Sequence, residues 1–219
     1  MPNRPRLVSK PLMISALIAV CLFAITCVLT VTGANQSLGA GFTAWLQGLQ
    51  TPWLTTTMIA ITTSGEWYVL AAICVVLLVI PRTRLSFGVP ISAATLAAGI
   101  ANEVLKNIFR EPRPDAHRLI VESGFSFPSG HAMSASAMAC MAVFLLLPRL
   151  KSSLAKVLIT AAIALVTLLI GVSRIYLGVH YPIDIVGGYL ATFALFVLTV
   201  WLLRWFHAWL VNRRNVDSV

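Results

Sequence analysis

Between Leu12 and Thr32 the chain reads LMISALIAVCLFAITCVLTVT, without one charged side chain. A helix needs about 20 mostly apolar residues to cross the hydrocarbon of a bilayer, and this run supplies them. The basic start before it, Arg4, Arg6 and Lys10, resembles that of a secretory leader. The apolar core of a cleavable leader, however, runs only about 7–15 residues, and no convincing A-x-A site follows. The run is therefore expected to stay as a first membrane helix. Five more apolar runs follow near 66–81, 86–109, 128–148, 154–177 and 182–206. The second is short as drawn, and Met58 to Ile61 extend it. The third holds Pro90, Asn102 and Glu103, so its far end is less apolar.

Composition agrees. Of 219 residues, 58% are hydrophobic and 11% charged, against about 25% charged in a soluble domain. Mean hydropathy is +0.88. These values exclude a soluble globular domain and a disordered chain. The net charge of +9 does not indicate nucleic acid, because the cations sit in small groups between apolar runs and not in one arm or stripe. The connections are short and there is no internal repeat. The expectation is one all-α integral-membrane domain over 1–219, with six transmembrane helices. Cys21, Cys27, Cys74 and Cys140 all lie inside apolar runs, without CxxC or metal spacing, and read as buried free thiols.

Lysine and arginine set the orientation. With the N-terminus inside, eleven of the sixteen basic residues fall on the inner side. Both termini are then expected in the cytoplasm. The outer side keeps Lys106, Arg110, Arg113, Arg118 and Arg174, against the trend. In the outer connection between the first two spans, Phe42, Trp45, Leu46, Leu49 and Trp53 share one helical face. An interfacial helix is expected there, with ordinary packing onto the bundle as the other reading.

The outer cations have company. Lys106 to Pro114 closes span three, Phe127-Pro128-Ser129-Gly130-His131 opens span four, and Ser173 to Asp184 joins spans five and six. Each piece alone has a plainer reading: lysines and arginines snorkel to headgroups, Asp184 suits a helix N-terminus, and single histidines cap helix ends. Together, at one face of a bundle, they suit a phosphate. Guanidinium forks pair with its oxygens, the helix opening at Gly130 offers free N–H groups, and a carboxylate four residues after His180 fixes that imidazole's tautomer. Two histidines beside such a cradle indicate phosphoryl transfer through a histidine nucleophile. His117 and His207 lack such neighbours and read as structural. Arg110 and Arg118 are left without a role.

Lys106-x6-Arg113-Pro114, Pro128-Ser129-Gly130-His131 and Ser173-Arg174-x5-His180-x3-Asp184 resemble the three-part signature of the type-2 phosphatidate phosphatase superfamily, with no position departing from it. The resemblance implies a membrane lipid phosphatase with its core site over 103–184. His180 would be the nucleophile, Asp184 its orienting carboxylate, and His131 the acid and then base. Lys106, Arg113, Arg174, Ser129 and Gly130 would hold the phosphate, with no metal or other cofactor. Bacterial membrane members of the family act on phosphatidylglycerophosphate and undecaprenyl diphosphate, and phosphatidate fits the same cradle. The implied partners are a lipid phosphate substrate and surrounding membrane lipids, without nucleic acid. The lipid is expected to enter sideways, through a gap near the outer third of spans three to six. Headgroup choice is assigned to loops such as Glu111 to Ser126, and Glu103 is paired with Lys106. Two alternatives stay open: a phosphotransferase using the same histidine, and a non-catalytic lipid-phosphate binder. Oligomeric state has no signal.

Overall fold

The computed structural model describes the backbone of residues 10–115 and 117–216, and the side chains of 11–115, 117–202 and 205. Helix α1 (Lys10–Val31) is followed by a 3-10 turn (Ala34–Gln36), α2 (Ala40–Gly48), α3 (Pro52–Ser64) and α4 (Trp67–Val79). A one-turn helix α5 (Pro81–Thr83) and a π turn (Arg84–Gly88) lead into α6 (Val89–Phe109). Then come α7 (Gly130–Leu146), a 3-10 turn (Leu147–Arg149), α8 (Ser153–Tyr176) and α9 (Pro182–Val216). No strand occurs among the described residues. Helices satisfy their own backbone polar groups, the requirement of a chain that sits in hydrocarbon.

Five helical stretches are long and apolar enough to cross a membrane, and the count reaches six when α3 and α4 are taken as one span bent by 47°. Span two is thus longer than its apolar run: it starts at Pro52 and breaks at Gly65-Glu66. The amphipathic stretch from Phe42 to Trp53 is also divided. It forms α2, and Trp53 belongs to α3. Only Leu46 of that face is buried, against Tyr176, Leu177 and Val179, while Phe42, Trp45, Leu49 and Trp53 are exposed.

Helix α7 sits at the centre, packed against α6, α8 and α9, and α1 lies along α9. Small side chains put it there. Ala132, Ala135, Ser136 and Ala137 are buried, as expected where transmembrane backbones approach closely. By contrast α1 and α8 are mostly exposed, with apolar residues such as Leu17, Val28, Leu158 and Leu165 outermost. Of the four cysteines only Cys74 is buried; Cys21 is exposed on α1, and all four are free. A compact cluster of Leu46, Ala132, Ile175, Tyr176, Leu177, Val179 and Ile185 underlies the end of the bundle where α6, α8 and span two's first half finish and α7 and α9 begin.

Candidate active site

The turn between α8 and α9 builds the centre of the site. Gly178 takes φ +75°, and a Cβ there would lie 2.4 Å from the His117 carbonyl oxygen, so glycine lets the loop close over this turn. Two residues later His180 is 2% exposed and Asp184, in the first turn of α9, is fully buried. Asp184 Oδ2 accepts from the Tyr181 amide at 2.8 Å and from Ser126 Oγ, and it faces His180 Nδ1 at 3.2 Å. On the ring's other side, Arg113 Nη1 lies 3.0 Å from His180 Nε2. A guanidinium only donates, so the network assigns the tautomer: Nδ1 carries the proton toward Asp184, and Nε2 keeps its lone pair. Burial, and then the cations Arg113, Arg174 and Lys106, hold the imidazole well below its ordinary 6.5. It is therefore neutral at pH 7, with the Nε2 lone pair turned toward Arg113.

Arg113 is fixed by carbonyls. Its Nε donates to Gly124 O (3.1 Å), Nη1 to Val179 O (3.0 Å) and Nη2 to Ser123 O (2.9 Å). Burial presses its pKa down to about 10, still protonated at neutral pH. Arg174, in the last turn of α8, is fully buried; Nη1 donates to Thr62 Oγ1 at 3.0 Å, and Nε has no hydrogen-bond partner. Lys106, in the last turn of α6, stands within electrostatic reach of both arginines. One carboxylate joins the cations: Glu122 Oε1 lies 3.7 Å from Arg113 Nη2, and its Oε2 lies 2.9 Å from Arg174 Nη2. Burial pushes Glu122 up, but Arg174 and Arg113 outweigh it and hold the carboxyl below its usual range.

The third wall is the start of α7. Ser129 is its N-cap, accepting from the Ala132 amide at 3.4 Å, which leaves the hydroxyl proton available to an acceptor. The Ser129 amide donates to Asp184 O at 3.1 Å, tying α7 to α9. Asn102 of α6 donates to Pro128 O at 2.9 Å, and a Cβ on Gly130 would lie 3.0 Å from Asn102 Oδ1. His131, in the first turn, places Nε2 3.3 Å from Glu66 Oε1 at the break in span two.

The expected residues therefore converge: His131, His180, Asp184, Arg113, Arg174, Lys106, Ser129 and Gly130 share one end of the bundle. Arg110 and Arg118 stay apart from the cradle. Arg110 ends α6 in the left-handed conformation (φ 48°), and Arg118 ties its own loop through Asp115 and the Arg113 carbonyl. Glu103 does not pair with Lys106; its Oε1 accepts from Asn107 Nδ2 at 2.9 Å. His207 lies outside the described side chains.

Glu66, Glu122, Ser126 and Thr62 were not expected as contacts. A signal for the glutamates exists in the composition. Of seven acidic residues, six (Glu66, Glu103, Glu111, Asp115, Glu122 and Asp184) fall in the segments that form the site end, where the counter-ion rule gives them cations to meet.

Two hollows flank the site. An apolar cavity of about 690 Å³ opens between α1, α6 and α9, lined by Leu17, Phe23, Val104, Leu105, Met133 and Leu198 among others. Its wall includes α1, so this hollow is not confined to spans three to six. A second of about 290 Å³ has His180 in its wall, with Gln36, Thr43, Gln47, Asp115 and Tyr181 among its borders.

Residues 87–208 match the family model of the PAP2 superfamily. Among curated proteins, the chain is 42% identical over 102 residues to phosphatidylglycerophosphatase B of Bacillus subtilis, covering 45% of this chain and 49% of that one. It is 31% identical over 139 residues to undecaprenyl-diphosphatase of Sulfolobus acidocaldarius, covering 61% and 63%. The chain thus spans less than two thirds of either relative. Among solved structures, the transmembrane PAP2-type phosphatidylglycerolphosphate phosphatase from Bacillus subtilis superposes with TM-score 0.74 at 31% identity, over 84% of this chain and 93% of that one. With more than half its length matched, and with the family's fold, the chain belongs to the PAP2 superfamily.

Proposed function

We propose that the chain is an integral-membrane lipid phosphate phosphohydrolase, built as a single domain, that works through a phosphohistidine on His180 and without a metal. One observation carries the reading. A buried neutral imidazole has its Nδ1 side held by Asp184 and its Nε2 lone pair facing Arg113 at 3.0 Å. Arg174 Nε beside it is buried with no acceptor, and a buried donor without a partner is costly. An arriving phosphate supplies that acceptor.

The roles follow from position. His180 Nε2 attacks phosphorus while Lys106, Arg113 and Arg174, with the Ser129 hydroxyl and the Gly130 amide, take up charge on the equatorial oxygens. Asp184 stabilises the ring as it gains charge. His131 gives a proton to the leaving lipid oxygen and then takes one from water. The names of the relatives point to phosphatidylglycerophosphate and undecaprenyl diphosphate as substrates, and the apolar cavity beside α6 suits their tails. The excess of lysine and arginine at the opposite end supports a topology with both termini in the cytoplasm and the site at the outer face of a plasma or inner membrane.

The experiment is phosphate release by the full chain in detergent from phosphatidylglycerophosphate, undecaprenyl diphosphate and phosphatidate. It is paired with acid-free denaturing trapping of a phosphoenzyme on wild type and His180→Ala. Release by wild type, and loss of both release and label in the variant, is expected. Near-normal turnover by His180→Ala overturns the nucleophile. Transfer of the label to an added lipid alcohol in place of water would make the protein a phosphotransferase.

A further inference from the structure

We propose that Glu66 is the positioning residue of His131, its carboxylate facing the imidazole's Nε2–H so that Nδ1 is presented to the leaving oxygen of the lipid phosphate. The inference rests on the phosphohydrolase reading and deepens it.

Geometry places the pair together. Glu66 Oε1 is 3.3 Å from His131 Nε2, with the two side chains 27% and 10% exposed. The two groups are at ion-pair distance without a hydrogen bond, Nε2 being buried with no hydrogen-bond partner, and contacts of catalytic groups often tighten only when substrate closes the site. The approach is built into the backbone. A Cβ on Gly65 would lie 3.2 Å from His131 Cδ2 and 2.7 Å from Ile170 Cγ2, so only glycine lets this turn press on the ring. The turn is held at its other end, since the Gly65 amide donates to Thr62 O and Thr62 Oγ1 accepts from Arg174. The 47° bend of span two thus delivers one side chain to Arg174 and the next to His131.

Charge and symmetry give the contact its purpose. Glu66 puts a negative charge at contact distance from the ring, where it favours the imidazolium that must give up a proton. The two histidines are also mirror cases. Asp184 faces Nδ1 of His180 and leaves Nε2 for phosphorus, whereas Glu66 faces Nε2 of His131 and leaves Nδ1. In the first step His131 starts as an imidazolium, protonated on both ring nitrogens; the P–O bond breaks, its electron pair stays on the lipid oxygen, and that oxygen takes the Nδ1 proton, leaving His131 neutral with Nε2–H toward Glu66, while His180 Nε2 bonds phosphorus. In the second, water bonds phosphorus and gives its proton to Nδ1, and the N–P electron pair returns to His180.

The test uses leaving-group dependence, which a merely structural role does not move. Full-length wild type, Glu66→Gln and Glu66→Asp are assayed on p-nitrophenyl phosphate, whose leaving group hardly needs a proton. The second substrate is whichever of phosphatidate or phosphatidylglycerophosphate wild type turns over faster. Glu66→Gln is expected to lose about 10–100-fold in kcat on the lipid and about threefold or less on the aryl ester, with partial recovery in Glu66→Asp. Gly65→Ala, which displaces the same turn, serves if Glu66→Gln does not fold and carries the same asymmetric expectation. Equal losses on both substrates, or no loss on the lipid, overturn the inference and leave the phosphohydrolase reading standing. Wild type silent on every substrate overturns both.

Discussion

Glu122 and Arg174 form a carboxylate–guanidinium pair at 2.9 Å inside the cradle proposed for phosphate. The carboxylate also faces Arg113, so it stands among the donors an anionic headgroup must reach. Replacing it by Gln removes the negative charge that balances two buried guanidiniums and should cost about 1–3 kcal/mol at pH 7. Inorganic phosphate should then raise the melting temperature of Glu122→Gln more than that of wild type. Because the arginines hold the Glu122 pKa below its usual range, its stabilisation is complete above about pH 5 and fades as pH falls through the depressed value. The gap in melting temperature between wild type and variant should narrow accordingly. A gap independent of pH would contradict the pairing.

His180 gives the opposite pH signature. Its folded pKa lies well below the ordinary 6.5, so the unfolded chain binds the proton more readily. Nothing is lost above about pH 6.5. Below it, stability should fall by up to about 1.4 kcal/mol per pH unit until the folded value is reached. His180→Gln should remove that slope, read as the difference between variant and wild-type melting from pH 7 to 5.

Ser126→Ala should lower kcat by about 10-fold with little change in KM. The hydroxyl donates to the Asp184 oxygen that faces His180, and without it the carboxylate is free to swing. An unchanged kcat would mean that the Tyr181 amide alone holds the carboxylate.

Gly171→Val tests the α8–α9 contact. A Cβ at Gly171 would lie 2.2 Å from the Tyr189 hydroxyl and 2.5 Å from Ile185 Cγ2, and that hydroxyl donates to Thr167 O. Overpacking here should cost about 1–3 kcal/mol and show as a lower melting temperature in detergent, with Gly171→Ala milder.

The spans were legible because long runs such as Leu12 to Thr32 exclude charge. The site end was legible because Lys106, Arg113 and Arg174 sit against the charge bias and beside two histidines. The start of span two was not. Helix α3 is rich in threonine and reads as a polar connection, yet Thr56, Thr57 and Thr63 spend their hydroxyls on the carbonyls of Pro52, Trp53 and Ile59 within the same helix. Polarity satisfied in this way is hidden from a hydropathy reading. Glu122 was obscured for another reason. It meets Arg174, 52 positions further along the chain, and no local periodicity reports a contact between a loop and a distant helix.

The interruption of span two at Gly65-Glu66 has an evolutionary corollary. The family match begins at residue 87, so Thr62 and Glu66 reach Arg174 and His131 from a stretch upstream of that match. On the proposed mechanism, natural variation or engineering confined to this first third of the polypeptide would retune the departure of the alcohol while every signature motif stays untouched.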